Sequence, residues 1–400
     1  MFTALFLVLA TAAGRPPELL PPTGPFAVGR ITFEWTDPSR ADELAPSPAA
    51  RTVKVHLFYP ARPARRASSA PYLAGFDRLE HYANEHLAPD YFKNDFGESY
   101  PALRPLRGHA FEGAAAVRGK ARFPVVVFSH GGGMQVLFYS SLHEELASHG
   151  YVVAAVERPY DADLVALSGG RMVEQRGWGD DPQRSPAERA AFHRARHDAG
   201  ARDNSFVLDQ LQRIDAGTIR SPLAGRLDLK HAAAGGHSLG GKTSVVSCAH
   251  DTRWTACVNL DGGLDDGERY PATDKPVLAL FGGPSPVRLP IETEEAFAKR
   301  RERNATFLQS PSHAKLLSEY DHVPNATLLY IISPGFSHFS YYDLLRPEAE
   351  PWGGTPERTA ANLALVRACL TGFLDTHLKG QPADIVAAVR KLGANAIVAR

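Results

Sequence analysis

The chain of 400 residues can hold one large or two smaller domains, and its 44% of hydrophobic residues can form a sizeable core. Lysine plus arginine and aspartate plus glutamate balance at 44 each, which argues against a nucleic-acid partner or a polybasic membrane surface and predicts a small or neutral partner molecule. The three cysteines, Cys248, Cys257 and Cys369, form no Cys-x-x-Cys pair. This excludes a disulfide-rich scaffold or a zinc protein, allows at most one internal disulfide and leaves the redox compartment open.

The N-terminal stretch MFTALFLVLATAAG is apolar and uncharged, and its small residues resemble a cleavage site. Its length suits the apolar region of a signal peptide and is too short to span a bilayer. We therefore expect residues 1–13 to be a possible signal peptide of a secreted or periplasmic protein, although the usual basic residues are missing. The alternative is a buried or frayed N-terminal segment of a cytoplasmic protein. Residues 14–400 are predicted to form a single domain.

The first part of the chain predicts a parallel sheet. A proline-rich lead-in is followed by RTVKVHLFYPA, an alternating run broken by Pro60 that predicts a strand near the sheet edge, and residues 63–120 are predicted to be irregular. PVVVFSH (124–130) and YVVAAVERP (151–159) are apolar runs typical of strands buried on both faces, and the helical pattern 136–150 lies between them. A strand, helix and strand in this order indicate a βαβ unit.

The remainder continues the alternation of strands and helices. A polar, glycine-containing segment, 161–185, is predicted to be a loop that forms a lid or pocket wall. Helices are expected at 186–214, after Ser238 and at 355–378, and strands at 255–261, 276–283 and 326–333. The predicted fold is one doubly wound, mostly parallel α/β domain with loop insertions.

The stretch GHSLGGKT, residues 236–243, fits two incompatible patterns. As G-x-S-x-G it is a nucleophile elbow that presents Ser238 between a strand and a helix. As G-x-x-x-x-G-K-T it is a nucleotide-binding P-loop, in which Lys242 contacts phosphate and Thr243 holds magnesium. VNLD, ending at Asp261, could supply the magnesium-binding aspartate. Two predicted buried strands precede the motif, however, whereas a P-loop usually follows the first strand, which favours the elbow.

The elbow requires a general base and a carboxylate that orients it, in the chain order serine, acid, histidine. Asp261 ends the next predicted strand, with Asp265 and Asp266 as nearby competitors beyond a Gly-Gly turn. His338, in ISPGFSHFSYYD, follows the last predicted core strand, where the base is expected. The other downstream histidines, His313 and His322, lie in polar connections and fit less well.

The oxyanion of a tetrahedral intermediate needs preorganised amide donors. Leu239, directly after Ser238, supplies one, and the turn SHGGGM (129–134) supplies the other unless its glycines serve only a tight turn. His193 and His197, four residues apart on a predicted helix, could hold a metal but more readily form an exposed basic face. An acyl pocket could use four aromatic sites, which could equally be core residues: Phe336, Phe339, Trp178 and the pair Phe138-Tyr139.

The ordered motifs FSHGGG, LASHGYVVAAVER, GGHSLGGK, DTRWTACVNLDGGL and SHFSYYD resemble those of the platelet-activating-factor acetylhydrolase family of α/β-hydrolases. The resemblance covers about residues 24–375. It implies an α/β-hydrolase fold with Ser238 as nucleophile, Asp261 as acid and His338 as base. The amides of Gly132 and Leu239 would form the oxyanion hole; members often carry a bulky residue at the position of Gly132.

The resemblance also implies calcium-independent hydrolysis of short or oxidised acyl esters of phospholipids, without metal or organic cofactor. The expected partner is a small-molecule ester or a lipid, with weak contact to a lipid surface possible and no nucleic acid. The alternative on the same core is a polyester, cutin-like or lactone hydrolase. A P-loop nucleotide-binding protein is the alternative from another class.

Overall fold

The computed structural model describes residues 18–97, 100–176, 184–264 and 269–400, so the predicted signal peptide lies outside the described residues. In chain order the described strands are β1 (Ala27–Ala41), β2 (Ala50–Arg62), β3 (Phe111–Glu112), β4 (Ala115–Ala116), β5 (Phe123–Ser129), β6 (Val152–Glu157), β7 (Leu164–Ala166), β8 (Met172–Glu174), β9 (Leu227–His237), β10 (Trp254–Leu260), β11 (Val277–Gly282), β12 (Ala326–Ile332) and β13 (Asn395–Val398). The described α-helices are α1 (Phe76–His86), α2 (Tyr91–Phe96), α3 (Tyr100–Leu103), α4 (Ser140–Ser148), α5 (Pro186–Asp215), α6 (Leu239–His250), α7 (Glu294–Ala305), α8 (Pro311–Glu319), α9 (Pro356–Lys379) and α10 (Ile385–Lys391).

Eleven strands form one sheet in the order β13-β12-β11-β10-β9-β5-β6-β2-β1-β3, with β4 beside β2. Every neighbouring pair from β12 to β6 is parallel, whereas β13 pairs with β12, and β2 with both β6 and β1, in antiparallel orientation. The carboxyl ends of β9, β10, β11 and β12 therefore meet at one edge of the sheet. This edge is the usual location of a binding site in an open α/β sheet.

The core lies on both faces of the sheet, as the apolar runs predict. All seven residues of β5 are buried, and their side chains alternate between the two faces. Val126 and Phe128 pack in one hydrophobic cluster with residues of α4 and α9. Val125 and Val127 pack in the other with residues of α5 and α6. The predicted doubly wound α/β architecture is confirmed.

One expectation for the N-terminal part is confirmed and one is wrong. Strand β2 lies near one edge of the sheet, as predicted, with only β1 and the two-residue β3 of the described strands beyond it. It tolerates Pro60 because its pairing with β6 ends at Phe58, so no ladder hydrogen bond on that side needs a Pro60 N–H. Residues 63–120 also contain three short helices, α1 to α3. These helices escaped detection because they have only 11, 6 and 4 residues, so that each buries too few side chains to form a recognisable apolar pattern.

Cys248 of α6 and Cys257 of β10 form a disulfide, and the buried Cys369 is free. The bond ties the helix that follows Ser238 to the strand that precedes Asp261. Among the described helices, none combines the length and the apolar character needed to cross a membrane.

Candidate active site

Ser238 stands alone between a strand and a helix, because β9 ends at His237 and α6 begins at Leu239. Its backbone has φ 51° and ψ −115°, a strained conformation that residues other than glycine rarely adopt. The turn depends on glycines on either side. A Cβ on Gly240 would lie 2.1 Å from the Ser129 carbonyl oxygen, and a Cβ on Gly236 would lie 2.5 Å from the Gly240 carbonyl carbon. The local geometry is that of a nucleophile elbow.

The same geometry disfavours the P-loop interpretation. A P-loop needs an open run of residues before its lysine, whose amides surround a phosphate. Here Leu239, Gly240, Gly241 and Lys242 already belong to α6, so no such loop exists. Lys242 instead lines a cavity that it shares with Ser238.

Asp261 is held in a turn directly after β10, with φ 55°. Its N–H donates to the Leu280 carbonyl, 2.8 Å away. The turn is supported by the buried Asn259, whose Oδ1 accepts from Gly262 N–H at 2.9 Å and whose Nδ2 donates to the Gly262 carbonyl at 2.6 Å. Asn259 Nδ2 also contacts the Tyr320 hydroxyl, at 2.7 Å. The contact with Tyr320 could not be seen in the sequence, because Tyr320 lies 61 residues away along the chain.

His338 lies in the loop after β12 and faces Asp261. Its Nδ1–H donates to Asp261 Oδ2 at 2.6 Å, which leaves Nε2 as the proton acceptor. The side chain of His338 is 42% exposed, so a substrate can reach it. The alternative histidines lie elsewhere, with His313 buried against the Tyr330 hydroxyl at 2.9 Å and His322 exposed. The competing acids Asp265 and Asp266 lie outside the described residues.

Ser238 is close to this pair through its chain neighbours. Its N–H donates to the carbonyl of Leu260, directly before Asp261, at 2.8 Å. The ring of His237, directly before Ser238, lies 4.5 Å from the ring of His338 between centroids. Ser238 makes no hydrogen bond to His338 among the described contacts, and such bonds are often long until substrate binds. The three predicted residues therefore meet at the carboxyl edge of the sheet.

His237 is a buried residue that connects the elbow to the glycine turn, a role that the sequence did not reveal. Its Nδ1 lies 2.9 Å from the Tyr139 hydroxyl, which accepts from Gly131 N–H at 3.1 Å. Burial, together with the nearby His338, holds the pKa of His237 well below its usual value, so it stays neutral. Tyr139 is thus a fully buried link between the elbow and the glycine turn, not a pocket aromatic.

Gly132 lies at the middle of the glycine turn, in the same cavity wall as Leu239. The turn is held by the buried His130, whose Nε2 accepts from Arg158 N–H at 3.2 Å and whose Nδ1–H therefore donates to the Gly131 carbonyl at 2.6 Å. Burial and the positive charge of Arg158 lower the pKa of His130 to about 4. The turn is thereby fixed in the wall of the cavity that also contains Ser238 and Leu239.

Two cavities flank these residues and differ in character. One, of about 510 Å³, is lined by Ser238, Gly132 and Leu239 and by four polar side chains, Tyr91, Asp163, Gln175 and Lys242. The other, of about 400 Å³, is lined by His338 and Asp261 and by a mainly apolar wall that includes Leu289, Phe336, Phe339 and Trp352. Phe336 and Phe339 line this second cavity, whereas the sequence offered them either for an acyl pocket or for the core. Phe138 is buried in the core, and Trp178 lies outside the described residues.

Among the described residues, one group has the spacing to hold a metal ion: His237, Asp261 and His338, whose ligand atoms lie within 4.8 Å of one another. In the structure the Asp261 and His338 atoms are instead joined by their hydrogen bond. His193 and His197 both lie on α5 but not in such a group. The expected exposed basic face is wrong for His197 and Arg196, which are buried, with Arg196 paired to Asp161.

Comparison with known proteins identifies relatives of this chain. Residues 15–282 match the family described as platelet-activating factor acetylhydrolase, isoform II. A probable 1-alkyl-2-acetylglycerophosphocholine esterase of Arthroderma benhamiae is 28% identical over 262 residues, which cover 62% of this chain and 59% of that protein. The platelet-activating factor acetylhydrolase of Bos taurus is 28% identical over 232 residues, covering 50% of this chain and 49% of that protein. The chain thus matches 59% and 49% of the length of these two relatives.

A solved structure resembles the whole chain. It is the ferulic acid esterase from Streptomyces cinnamoneus, which is 27% identical with a TM-score of 0.65 and covers 93% of this chain and 96% of its own. The mostly parallel sheet, the helices on both of its faces and the elbow are those of the α/β-hydrolase fold, as predicted.

Proposed function

Because the chain belongs to the platelet-activating factor acetylhydrolase, isoform II, family, we propose that it is a serine carboxylic-ester hydrolase with Ser238, His338 and Asp261 as its catalytic triad. The observation that carries the proposal is the strained Ser238, alone between β9 and α6, beside the Asp261–His338 pair. Strained backbone of this kind clusters at active sites, where the strain is part of the mechanism.

In the proposed reaction, His338 Nε2 takes the proton of the Ser238 hydroxyl as its oxygen attacks the ester carbonyl. Asp261 stabilises the imidazolium through the hydrogen bond to Nδ1. The amides of Gly132 and Leu239 bind the oxyanion, and the loss of one such donor typically costs about 3–4 kcal/mol. His338 then protonates the departing alcohol, and water hydrolyses the acyl-enzyme with the same residue as base. These steps require no metal or organic cofactor.

The two cavities support an orientation for the substrate. The departing oxygen must lie within hydrogen-bond reach of His338, so the alcohol portion extends into the apolar cavity beside His338. The acyl portion remains in the cavity of Ser238, Gly132 and Leu239. The names of the relatives support a phospholipid with a short acyl chain such as acetyl as substrate, and the apolar wall is suited to the lipid part of such an alcohol.

Contact with a lipid surface is also part of the proposal. Trp352 lines the apolar cavity and is 51% exposed, and Ile291 is 72% exposed two residues from Leu289 of the same cavity. Exposed tryptophan and isoleucine at a cavity mouth are suited to weak insertion into a lipid interface. The disulfide between Cys248 and Cys257 supports an oxidising location, secreted or periplasmic, because such bonds are rare in the cytosol.

A second candidate substrate is an ester of a hydroxylated aromatic acid. It is favoured by the similarity over almost the whole chain to a structure described as a ferulic acid esterase, and by the polar wall of the acyl-side cavity. Both candidates use the same triad and differ only in what the two cavities accept.

The test compares hydrolysis of p-nitrophenyl esters from acetate to octanoate, without divalent metal, by the wild type, Ser238→Ala and Ser318→Ala, a control serine on α8. Ser238→Ala should lower kcat at least 10⁴-fold, by the order found for loss of a triad serine, and Ser318→Ala should change it less than about twofold. Retained activity in Ser238→Ala contradicts the mechanism. Assays of 1-alkyl-2-acetylglycerophosphocholine, methyl ferulate and a polyester film then decide the substrate class.

A further inference from the structure

Asp163 is an unexplained carboxylate in the wall of the cavity that contains Ser238. It lies directly before β7, is 8% exposed and lines the cavity together with Ser238 and Gly132. Neither the triad nor the oxyanion hole uses it. Carboxylates that serve only the fold are normally hydrogen-bonded at both oxygens when they are buried.

Only one oxygen of Asp163 is satisfied. The Tyr91 hydroxyl, which also lines the cavity, donates to Oδ1. Oδ2 is buried and has no hydrogen-bond partner among the described residues. Burial raises the pKa of Asp163 to about 6, against the opposing effect of the Tyr91 hydrogen bond. At neutral pH the group is therefore mostly an anion with a free acceptor oxygen, which is a costly arrangement in a cavity without a ligand.

Contacts with the glycine turn fix the wall that carries Asp163. The Gln175 N–H donates to the Asp163 carbonyl at 2.8 Å, which joins the two ends of the β7–β8 hairpin. The Gln175 side chain lies beside Gly133, whose added Cβ would be 3.1 Å from its Nε2. Gly133 N–H in turn donates to the Asp161 carbonyl at 2.9 Å. The carboxylate thus has a defined position relative to the oxyanion amides, as a specificity group requires.

We propose that Asp163, held by Tyr91, is a substrate-binding residue that accepts a hydrogen bond from a donor on the acyl portion of the ester, either a hydroxyl or an ammonium group. The inference rests on the proposed function, which places the acyl portion in this cavity. A buried charged acceptor discriminates strongly against an analogue that lacks the donor, because the carboxylate is then left unpaired.

The experiment uses p-nitrophenyl esters of one acyl frame, 3-phenylpropanoate, with hydroxyl, methoxy or aminomethyl at the para position, and p-nitrophenyl acetate as reference. The proteins are the wild type, Asp163→Asn and Asp274→Asn, an exposed control. We expect the wild type and the control to prefer the hydroxyl or the aminomethyl ester over the methoxy ester about tenfold in kcat/KM. In Asp163→Asn the preference should fall to within about twofold. The preferred donor identifies the group.

Two results overturn the proposal: no preference in the wild type, or the same preference in Asp163→Asn. An equal loss on all esters including acetate also overturns it, since that indicates a structural role. Calorimetric binding of 3-(4-hydroxyphenyl)propanoate, its methoxy analogue and its aminomethyl analogue separates this inference from the proposed function. If no ester is hydrolysed, tighter binding of either donor-bearing acid that is lost in Asp163→Asn still supports Asp163, and equal binding of all three acids contradicts it.

Discussion

The catalytic edge and the cavity walls of this protein are built in different ways. Ser238 and Asp261 directly follow β9 and β10, and His338 lies in the loop after β12, so three parallel strands place the reacting groups. The cavity walls come from insertions: Tyr91 begins α2, Asp163 precedes β7 and Trp352 lies in a turn before α9. Under the proposed function, the sheet and its nearest supports fix the chemistry, whereas substrate choice depends on segments that can vary without moving the sheet.

The largest effect is expected from Asp261→Asn at the catalytic edge. The variant removes the carboxylate that holds the Nδ1–H tautomer of His338, so kcat should fall roughly 10³–10⁴-fold with little change in KM. Steady-state kinetics on p-nitrophenyl acetate measures this, with the exposed Asp321→Asn as control. A decrease in kcat of less than tenfold would mean that another residue serves as the acid of the triad.

The catalytic edge could be predicted from the sequence because each of its residues carries a local signal. Ser238 lies in G-x-S-x-G, Asp261 ends an apolar run and His338 follows one. The structure brings these residues together as expected. Asn259, His130 and Asp163 gave no such signal, since their importance comes from partners such as Tyr320, Arg158 and Tyr91 that are distant in the chain. Helices α1 to α3 were missed for a different reason: with 11, 6 and 4 residues they are too short for their apolar spacing to stand out.

A smaller effect is expected from Asn259→Ala. This variant tests how strongly activity depends on a residue that holds the turn of Asp261 but does not itself react. The variant leaves the Gly262 amide and carbonyl without their buried partner, so the free energy of unfolding should fall by about 3 kcal/mol. Because the turn carries Asp261, kcat should also fall, by about 10- to 100-fold. Denaturant unfolding and kinetics measure the two losses, with the exposed Asn325→Ala as control. Full activity in Asn259→Ala would show that Asp261 keeps its position without this support.

The glycine turn should make stability depend on pH through His130. Its pKa in the folded protein, about 4, lies below the usual value of 6.5, so between these values the unfolded chain binds a proton that the folded chain does not. Stability is therefore present above pH 6.5 and is lost as the pH falls toward 4. Other buried histidines with lowered pKa values, including His143 and His237, add to the same trend.

The variant His130→Asn isolates the contribution of His130, because an asparagine amide can replace the Nδ1–H donor and does not titrate. Between pH 4.5 and 6 the slope of unfolding free energy against pH should be smaller than in the wild type by about one proton, or about 1.4 kcal/mol per pH unit. Denaturant unfolding at several pH values measures the slope. Equal slopes in the two proteins would mean that His130 binds its proton as readily in the folded protein as in the unfolded chain, which contradicts the prediction.

The smallest effect is expected at the cavity wall, from Trp352→Ala. If the apolar cavity receives the alcohol portion, removing this indole should lower kcat/KM for octyl acetate about fivefold, or about 1 kcal/mol, and leave methyl acetate unchanged because methanol is too small to reach Trp352. Leu392→Ala, equally exposed at 51% but outside both cavities, should affect neither ester. An equal loss on both esters would mean that Trp352 supports the loop of His338. The cavity wall and the catalytic edge would then not be independent of each other. A loss confined to octyl acetate, with kcat unchanged, would separate substrate choice from chemistry in the way that the two cavities suggest.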